Sequence, residues 1–129
     1  MTLTPNVLLI DDDPSFRSIM DKVGKKRDIH ITTCASIYEV AHLENLKAFD
    51  MVVIDYYLDD LKGTEIAMLF GATPVLLMSS QAESCIEENM IWPPSVRTFV
   101  DKQEGPEALI ETILKVHKRS RDRTVHYRN

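Results

Sequence analysis

The residues in this chain best suited to chemistry stand directly after short apolar runs. Asp11-Asp12-Asp13 follow Val7-Leu8-Leu9-Ile10, Asp55 follows Val52-Val53-Ile54, Ser79-Ser80 follow Leu76-Leu77-Met78, and Asp101-Lys102 follow Phe99-Val100. Clustered carboxylates repel one another, and a hard divalent cation relieves that repulsion. Oxygen ligands in an incomplete protein cage suit Mg²⁺ (or Mn²⁺), which keeps some of its waters and shares phosphate oxygens. A carboxylate beside such a cation can act as a nucleophile toward a phosphoryl group. A serine hydroxyl and a lysine ammonium can then bind the transferred oxygens, where charge develops. Each residue also has a plainer role. Asp13 reads as a helix cap, Asp59 and Asp60 as solvated loop residues, the serines as backbone hydrogen-bonders, and a single lysine as surface. What favours the chemical reading is that four successive run ends carry the set together.

For these residues to meet, the runs must be strands that end on one edge. Five segments read as strands: residues 6–10, 29–34, 51–54, 74–78 and 96–100. The first, third and fourth are nearly continuous apolar runs, as expected of strands covered on both faces of a parallel sheet. Helical segments alternate with them. Asp13 caps a helix with Pro14 at its first position, and Phe16, Ile19, Met20 and Val23 follow as one buried stripe. Ser36-Ile37-Tyr38-Glu39 reads as a capping box opening a second helix to about residue 46. A short third helix spans 63–70 and ends near Gly71. A fourth spans 81–91 and stops at Pro93-Pro94. The fifth runs from 105 to about 119, with Leu109, Ile110, Ile113, Leu114 and Val116 inward. Five βα units imply an α/β doubly wound, five-stranded parallel sheet of order 2-1-3-4-5, the flavodoxin-like arrangement. In such sheets ligands bind at the carboxyl ends of the strands, where the acidic residues, Ser79 and Lys102 fall.

The chain's 129 residues form one domain's worth of sequence, long enough to bury a core without disulfides or a structural metal. Hydrophobic residues at 44% exclude a disordered chain. The longest apolar runs fall far short of a membrane span, and no signal peptide precedes the first aspartates. Cys34 and Cys85 have no metal or redox spacing, so reduced thiols in a cytoplasm are expected. Net charge is −5, unevenly placed. From position 117 onward Lys118, Arg119, Arg121, Arg123 and Arg128 face only Asp122, so this end carries +4 and the remainder −9. An acidic body argues against general nucleic-acid binding. The basic end reads as a solvated helix terminus that frays, in preference to a nucleic-acid or lipid contact. The expected organisation is a folded domain over 1–119 and a basic tail over 120–129.

From residue 6 to about residue 117 the sequence resembles the receiver domain of bacterial two-component response regulators. The motifs that carry the resemblance are Val7-Leu8-Leu9-Ile10-Asp11-Asp12-Asp13-Pro14, Val52-Val53-Ile54-Asp55 with Gly63 eight residues on, Leu76-Leu77-Met78-Ser79-Ser80, and Phe99-Val100-Asp101-Lys102. The resemblance implies that Asp55 is the phosphoacceptor. It implies that Asp12 binds Mg²⁺ directly, that Asp11 reaches it through water, and that Asp55 and the backbone carbonyl of Tyr57 are further ligands. Ser79 then hydrogen-bonds a phosphoryl oxygen, Lys102 pairs with the phosphoryl charge, and Phe99 holds the aromatic switch position. Tyr57 and Gln81 flank the approach of water and tune the lifetime of the acyl phosphate. The implied partners are a histidine kinase or phosphotransfer protein and a downstream protein target, with no nucleic acid and no membrane. The chain is expected to act as a monomer or a weak phosphorylation-dependent dimer. It is expected to be no enzyme beyond assisting its own Mg²⁺-dependent phosphorylation and dephosphorylation.

The sequence departs from that pattern in several places. Gln103 replaces the proline that usually follows the lysine and its cis peptide bond, so the turn after the fifth strand should differ. The stretch between Asp55 and Ser79 is short, which clips the third helix. Ile91-Trp92-Pro93-Pro94-Ser95 replaces a Gly-Ala turn, which puts the usual dimer surface in question. No output domain follows, so the expectation is a stand-alone receiver. Two other readings compete. In a receiver-like module that binds partners without phosphorylation, the acidic residues, Ser79 and Lys102 would be idle. In a haloacid-dehalogenase-like phosphatase, Asp11 and Asp13 would be nucleophile and acid, but no final acidic motif follows Lys102 and Asp55 is left without a role.

Overall fold

Val7, Leu8, Leu9 and Ile10 offer no polar face to water, so the strand they form must be covered on both sides. In a computed structural model, which describes residues 4–58, 61–80 and 93–127, β1 (Asn6–Ile10) sends Val7 and Leu9 into one core cluster and Leu8 and Ile10 into another. The same alternation holds in β3 (Met51–Asp55) and β6 (Val75–Ser79). Met51, Val53, Leu76 and Met78 face one cluster; Val52, Ile54, Val75 and Leu77 face the other. With β2 (His30–Cys34) and β7 (Val96–Asp101) they form a parallel sheet in the order β2-β1-β3-β6-β7. Counting only these five strands, this is the expected order 2-1-3-4-5. Three strands run one residue further than their apolar runs, because Asp55, Ser79 and Asp101 still pair, Asp55 opposite Met78 and Ser79 opposite Asp101. Ile29 is buried but lies before the pairing that defines β2.

Helix α1 (Pro14–Lys26) begins as expected: the Asp13 carboxylate accepts from the backbone N–H groups of Ser15 and Phe16. Its buried line runs through Phe16, Met20 and Gly24, so Ile19 turns to the rim and is 44% exposed, a correction to the expected stripe. Helix α2 (Ile37–Val40) is one turn long where a helix to about residue 46 was expected. After Ala41 the backbone bonds tighten from four residues back to three, in His42 N–H to Glu39 and Leu43 N–H to Val40. That tighter turn lays Leu43 and Leu46 against the second cluster. The Ser36 cap is present, but Glu39 reaches back to the Ala35 N–H instead of the Ser36 N–H.

A two-stranded antiparallel hairpin, β4 (Tyr57–Leu58) and β5 (Leu61–Lys62), follows β3 and had no signal in the sequence. Helix α3 (Gly63–Ala67) continues as a 3₁₀ turn through Phe70, and Gly71 ends it with φ +60°, as its clipped length required. Helix α4 (Pro106–Tyr127) buries Leu109, Ile110, Ile113 and Val116, with Leu114 partly buried. It continues past residue 119, where its end was expected. Helices α1 and α4 cover one face of the sheet, and α2 and α3 the other. The helix expected over 81–91, together with Gln81, Cys85, Asp59 and Asp60, lies outside the described residues. No helix among the described residues is long and apolar enough to cross a membrane.

Candidate functional site

The carboxyl ends of β1, β3, β6 and β7 meet along one edge, and sheet hydrogen bonds fix the residues there. Asp11 donates its N–H to the Cys34 carbonyl (3.0 Å), and Tyr56 donates to Met78 (2.7 Å), so backbone pairing continues one residue past β1 and β3. Carboxylate oxygens of Asp11, Asp12 and Asp55 lie within 4.8 Å of one another. Asp11 is fully buried, Asp12 is exposed, and the Asp55 side chain is 14% exposed. The Lys102 ammonium stands 2.6 Å from Asp11 Oδ2 and 3.8 Å from Asp55 Oδ2.

The electrostatics follow from this placement. Burial, and next the charge of Asp11, push the Asp55 carboxyl up to about 6, while Lys102 and the Tyr57 N–H pull the other way. That N–H donates to Asp55 Oδ1 at 3.3 Å. Asp11 Oδ1 accepts from the Asp13 N–H at 2.9 Å, whereas Oδ2, buried, has no hydrogen bond besides its ion-pair contact with Lys102. Three clustered carboxylates, two of them beside one ammonium, with a buried oxygen lacking a full set of donors, form a donor set that fits a hard divalent cation.

The expected site residues therefore come together in large part. Asp11, Asp12, Asp55 and Lys102 share one cleft. Ser79 ends β6 next to it and is buried. Phe99, on β7, is half-buried and lies 5.7 Å, centroid to centroid, from the buried ring of Tyr56. The Tyr57 ring, 45% exposed, meets Tyr56 edge-on at 4.8 Å. Gln81 lies outside the described residues. Lys102 sits closer to Asp11 than to Asp55.

Three contributors went unread in the sequence. Phe16 carries the Lys102 ammonium 4.5 Å above its ring, a cation–π contact that stiffens a long side chain. The Arg17 guanidinium donates to the Asp11 carbonyl at 2.8 Å. Tyr56 joins the Phe99 and Tyr57 rings. Phe16 and Arg17 belong to a helix whose periodicity reports only burial, and contact across the sheet leaves no local signal. Where the sequence raised the Gln103 turn, the structure shows a 3₁₀ turn (Lys102–Glu104) begun by Asp101, with no cis peptide bond among the described residues.

Comparisons with known proteins agree with this geometry. A family model of the response regulator receiver domain matches residues 7–114. Among curated proteins, the transcriptional activator protein PfeR of Pseudomonas aeruginosa is 34% identical over 82 residues, covering 60% of this chain and 26% of PfeR. The two-component response regulator ARR11 of Arabidopsis thaliana is 32% identical over 83 residues, covering 60% of this chain and 16% of ARR11. The chain thus spans about a quarter or less of these relatives' length. Among solved structures, a CheY-like response regulator receiver domain protein from Methanospirillum hungatei superposes with a TM-score of 0.74 at 20% identity, covering 93% of this chain and 98% of that one. The response regulator TrrA from Thermotoga maritima, solved in complex with Mg²⁺-BeF, superposes at 0.70 and 18% identity, covering 87% and 98%.

Proposed function

Because this chain belongs to the response regulator receiver domain family, we propose that it accepts a phosphoryl group on Asp55 from a histidine kinase or phosphotransfer protein and thereby switches its binding to a downstream protein. The observation that carries this reading is the placement of Asp55: a mostly buried carboxylate within 4.8 Å of two others, with an ammonium 3.8 Å away. An oxygen of Asp55 attacks the phosphorus. The bond from phosphorus to the donor's nitrogen or oxygen breaks, and the donor leaves with the electron pair. At pH 7 a group titrating near 6 is mostly the anion that attack requires. Lys102 stands where a small shift from Asp11 toward Asp55 would pair it with the new charge. The Ser79 hydroxyl supplies a hydrogen bond to a phosphoryl oxygen, and movement of Ser79 opens space for the Phe99 ring. Asp11, Asp12, Asp55 and the Tyr57 carbonyl would hold Mg²⁺ or Mn²⁺, which would supply the charge neutralisation that lets two anions meet. The Tyr57 ring, 45% exposed, covers the solvent side and slows hydrolysis. The setting is cytoplasmic.

The phosphatase reading asks Asp11 to be the nucleophile. Its side chain is fully buried, with one oxygen held by the Asp13 N–H and the other against Lys102, so it lacks the access an attacking oxygen needs. Incubation with acetyl phosphate and Mg²⁺, followed by intact-mass measurement, tests the assignment. The protein should gain the mass of one phosphoryl group, and neither Asp55→Asn nor wild type in EDTA should gain it. Equal labelling of Asp55→Asn would move the acceptor elsewhere.

A further inference from the structure

Ser79 ends β6 and Lys102 opens the turn that leaves β7, and one side chain ties that turn to the residue after Ser79. Asp101 ends β7 opposite Ser79 in the strand register. Its Oδ1 accepts from the Gln103 backbone N–H at 2.9 Å, which opens the turn carrying Lys102. The Gln103 side chain then crosses to the neighbouring loop and donates through Nε2 to the Ser80 carbonyl at 3.0 Å. A proline at this position could make neither bond, having no N–H on its backbone and no donor on its side chain.

Binding a phosphoryl group on Asp55 requires two displacements. Lys102 must shift from its 2.6 Å contact with Asp11 toward Asp55, now 3.8 Å away, and the Ser79 hydroxyl must turn to the same group from the end of β6. Two independent loops would each lose conformational freedom on closing, whereas loops already bridged lose it once. We propose that Gln103 is a positioning residue for phosphoryl binding: its amide couples the Lys102 turn to the Ser79-Ser80 loop, so that ammonium and hydroxyl close on the phosphoryl group together. This inference rests on Asp55 being the acceptor.

The test uses the full chain with fluoroberyllate as the phosphoryl mimic, in wild type, Gln103→Met and Gln103→Ala. The methionine keeps length and neutrality but has no donor. Calorimetric titration gives Mg²⁺ affinity alone and fluoroberyllate affinity at saturating Mg²⁺. Both variants should bind fluoroberyllate about threefold to fivefold more weakly, the worth of one partly exposed hydrogen bond, with Mg²⁺ affinity unchanged because Gln103 touches no acidic residue of the trio. Unchanged fluoroberyllate affinity, or a parallel fall in Mg²⁺ affinity, would overturn the coupling while leaving Asp55 as acceptor. A wild type that binds no fluoroberyllate would overturn the acceptor reading itself, and the coupling with it.

Discussion

A carboxyl that titrates near 6 when folded and near 3.8 when unfolded holds its proton more tightly in the native state, and Asp55 is such a group. Stability then falls as pH rises, because the folded chain gives up that proton later than the unfolded one. The loss begins near the unfolded value, is complete above the folded one, and stays at full size at higher pH. A difference of about two units corresponds to about 3 kcal/mol, an upper magnitude for a site whose neighbours can relax. Asp55→Asn removes the charge and retains an acceptor for the Tyr57 N–H. In EDTA that variant should therefore be about 2–3 kcal/mol more stable than wild type at pH 8, with the difference closing by about pH 4. Urea unfolding at several pH values reads it directly. A difference that does not vary with pH would mean that the repulsion at Asp55 is not what the substitution relieves. The meeting of Asp11, Asp12, Asp55 and Lys102 was legible because acidic type and strand-end position both show in the sequence. The neighbours of Lys102 were not: its ammonium rests on Asp11 and the Phe16 ring, contacts that no local pattern announces.

Between Asp55 and the third helix lies an element whose tolerance is set by one contact. The Gly63 N–H donates to the Tyr56 carbonyl at 2.7 Å, bringing the start of α3 against the residue that follows Asp55. A Cβ at Gly63 would stand 2.8 Å from Leu77 Cδ2 and 3.0 Å from the Tyr56 Cα. The leucine methyl can rotate away, but the backbone at Tyr56 is fixed by its bond to Met78. Gly63→Ala should cost about 1–3 kcal/mol, the usual range for overpacking a filled core. It should also slow labelling of Asp55 by acetyl phosphate, since the strain falls on the neighbouring residue. Unfolding in urea and the intact-mass time course check the two effects, and a variant as stable as wild type would show that α3 slides outward without resistance. The glycine's place after Asp55 was visible in the chain, whereas the hairpin before it was not. Tyr57, Leu58, Leu61 and Lys62 make two strands of two residues, too short for any period. The second helix failed for the opposite reason: a genuine capping signal at Ser36 starts a helix, but nothing in the following residues marks where the backbone tightens after Ala41.

Across the whole molecule, the sheet order was readable because continuous apolar runs demand two covered faces, and alternating helices then leave few ways to connect the strands. The length of the last helix was not, because the apolar positions that mark it in the sequence break off after Val116 while its backbone stays helical to Tyr127. Helix α4 has 22 residues, about 33 Å of axis, beside β7 with six, about 20 Å. Among its described side chains Val116 is the last buried one, yet the backbone stays helical to Tyr127. From residue 117 to residue 124 the sequence supplies no apolar side chain for a core. A helical segment so poor in apolar residues draws little on burial and is marginal at such a length, so its contribution to global stability should be small. It is nonetheless charged: residues 120–129 hold three arginines against one aspartate, and deleting them takes the net charge from −5 to −7. The deletion should change unfolding free energy in urea by no more than about 0.5 kcal/mol, as for surface changes generally. It should leave acetyl phosphate labelling of Asp55 intact, and it should delay elution from an anion exchanger. The three readouts separate the cases. A loss of stability well above that figure would mean that the overhang packs on the body and belongs to the fold. Unchanged stability with altered labelling would instead connect the helix end to the acidic cleft.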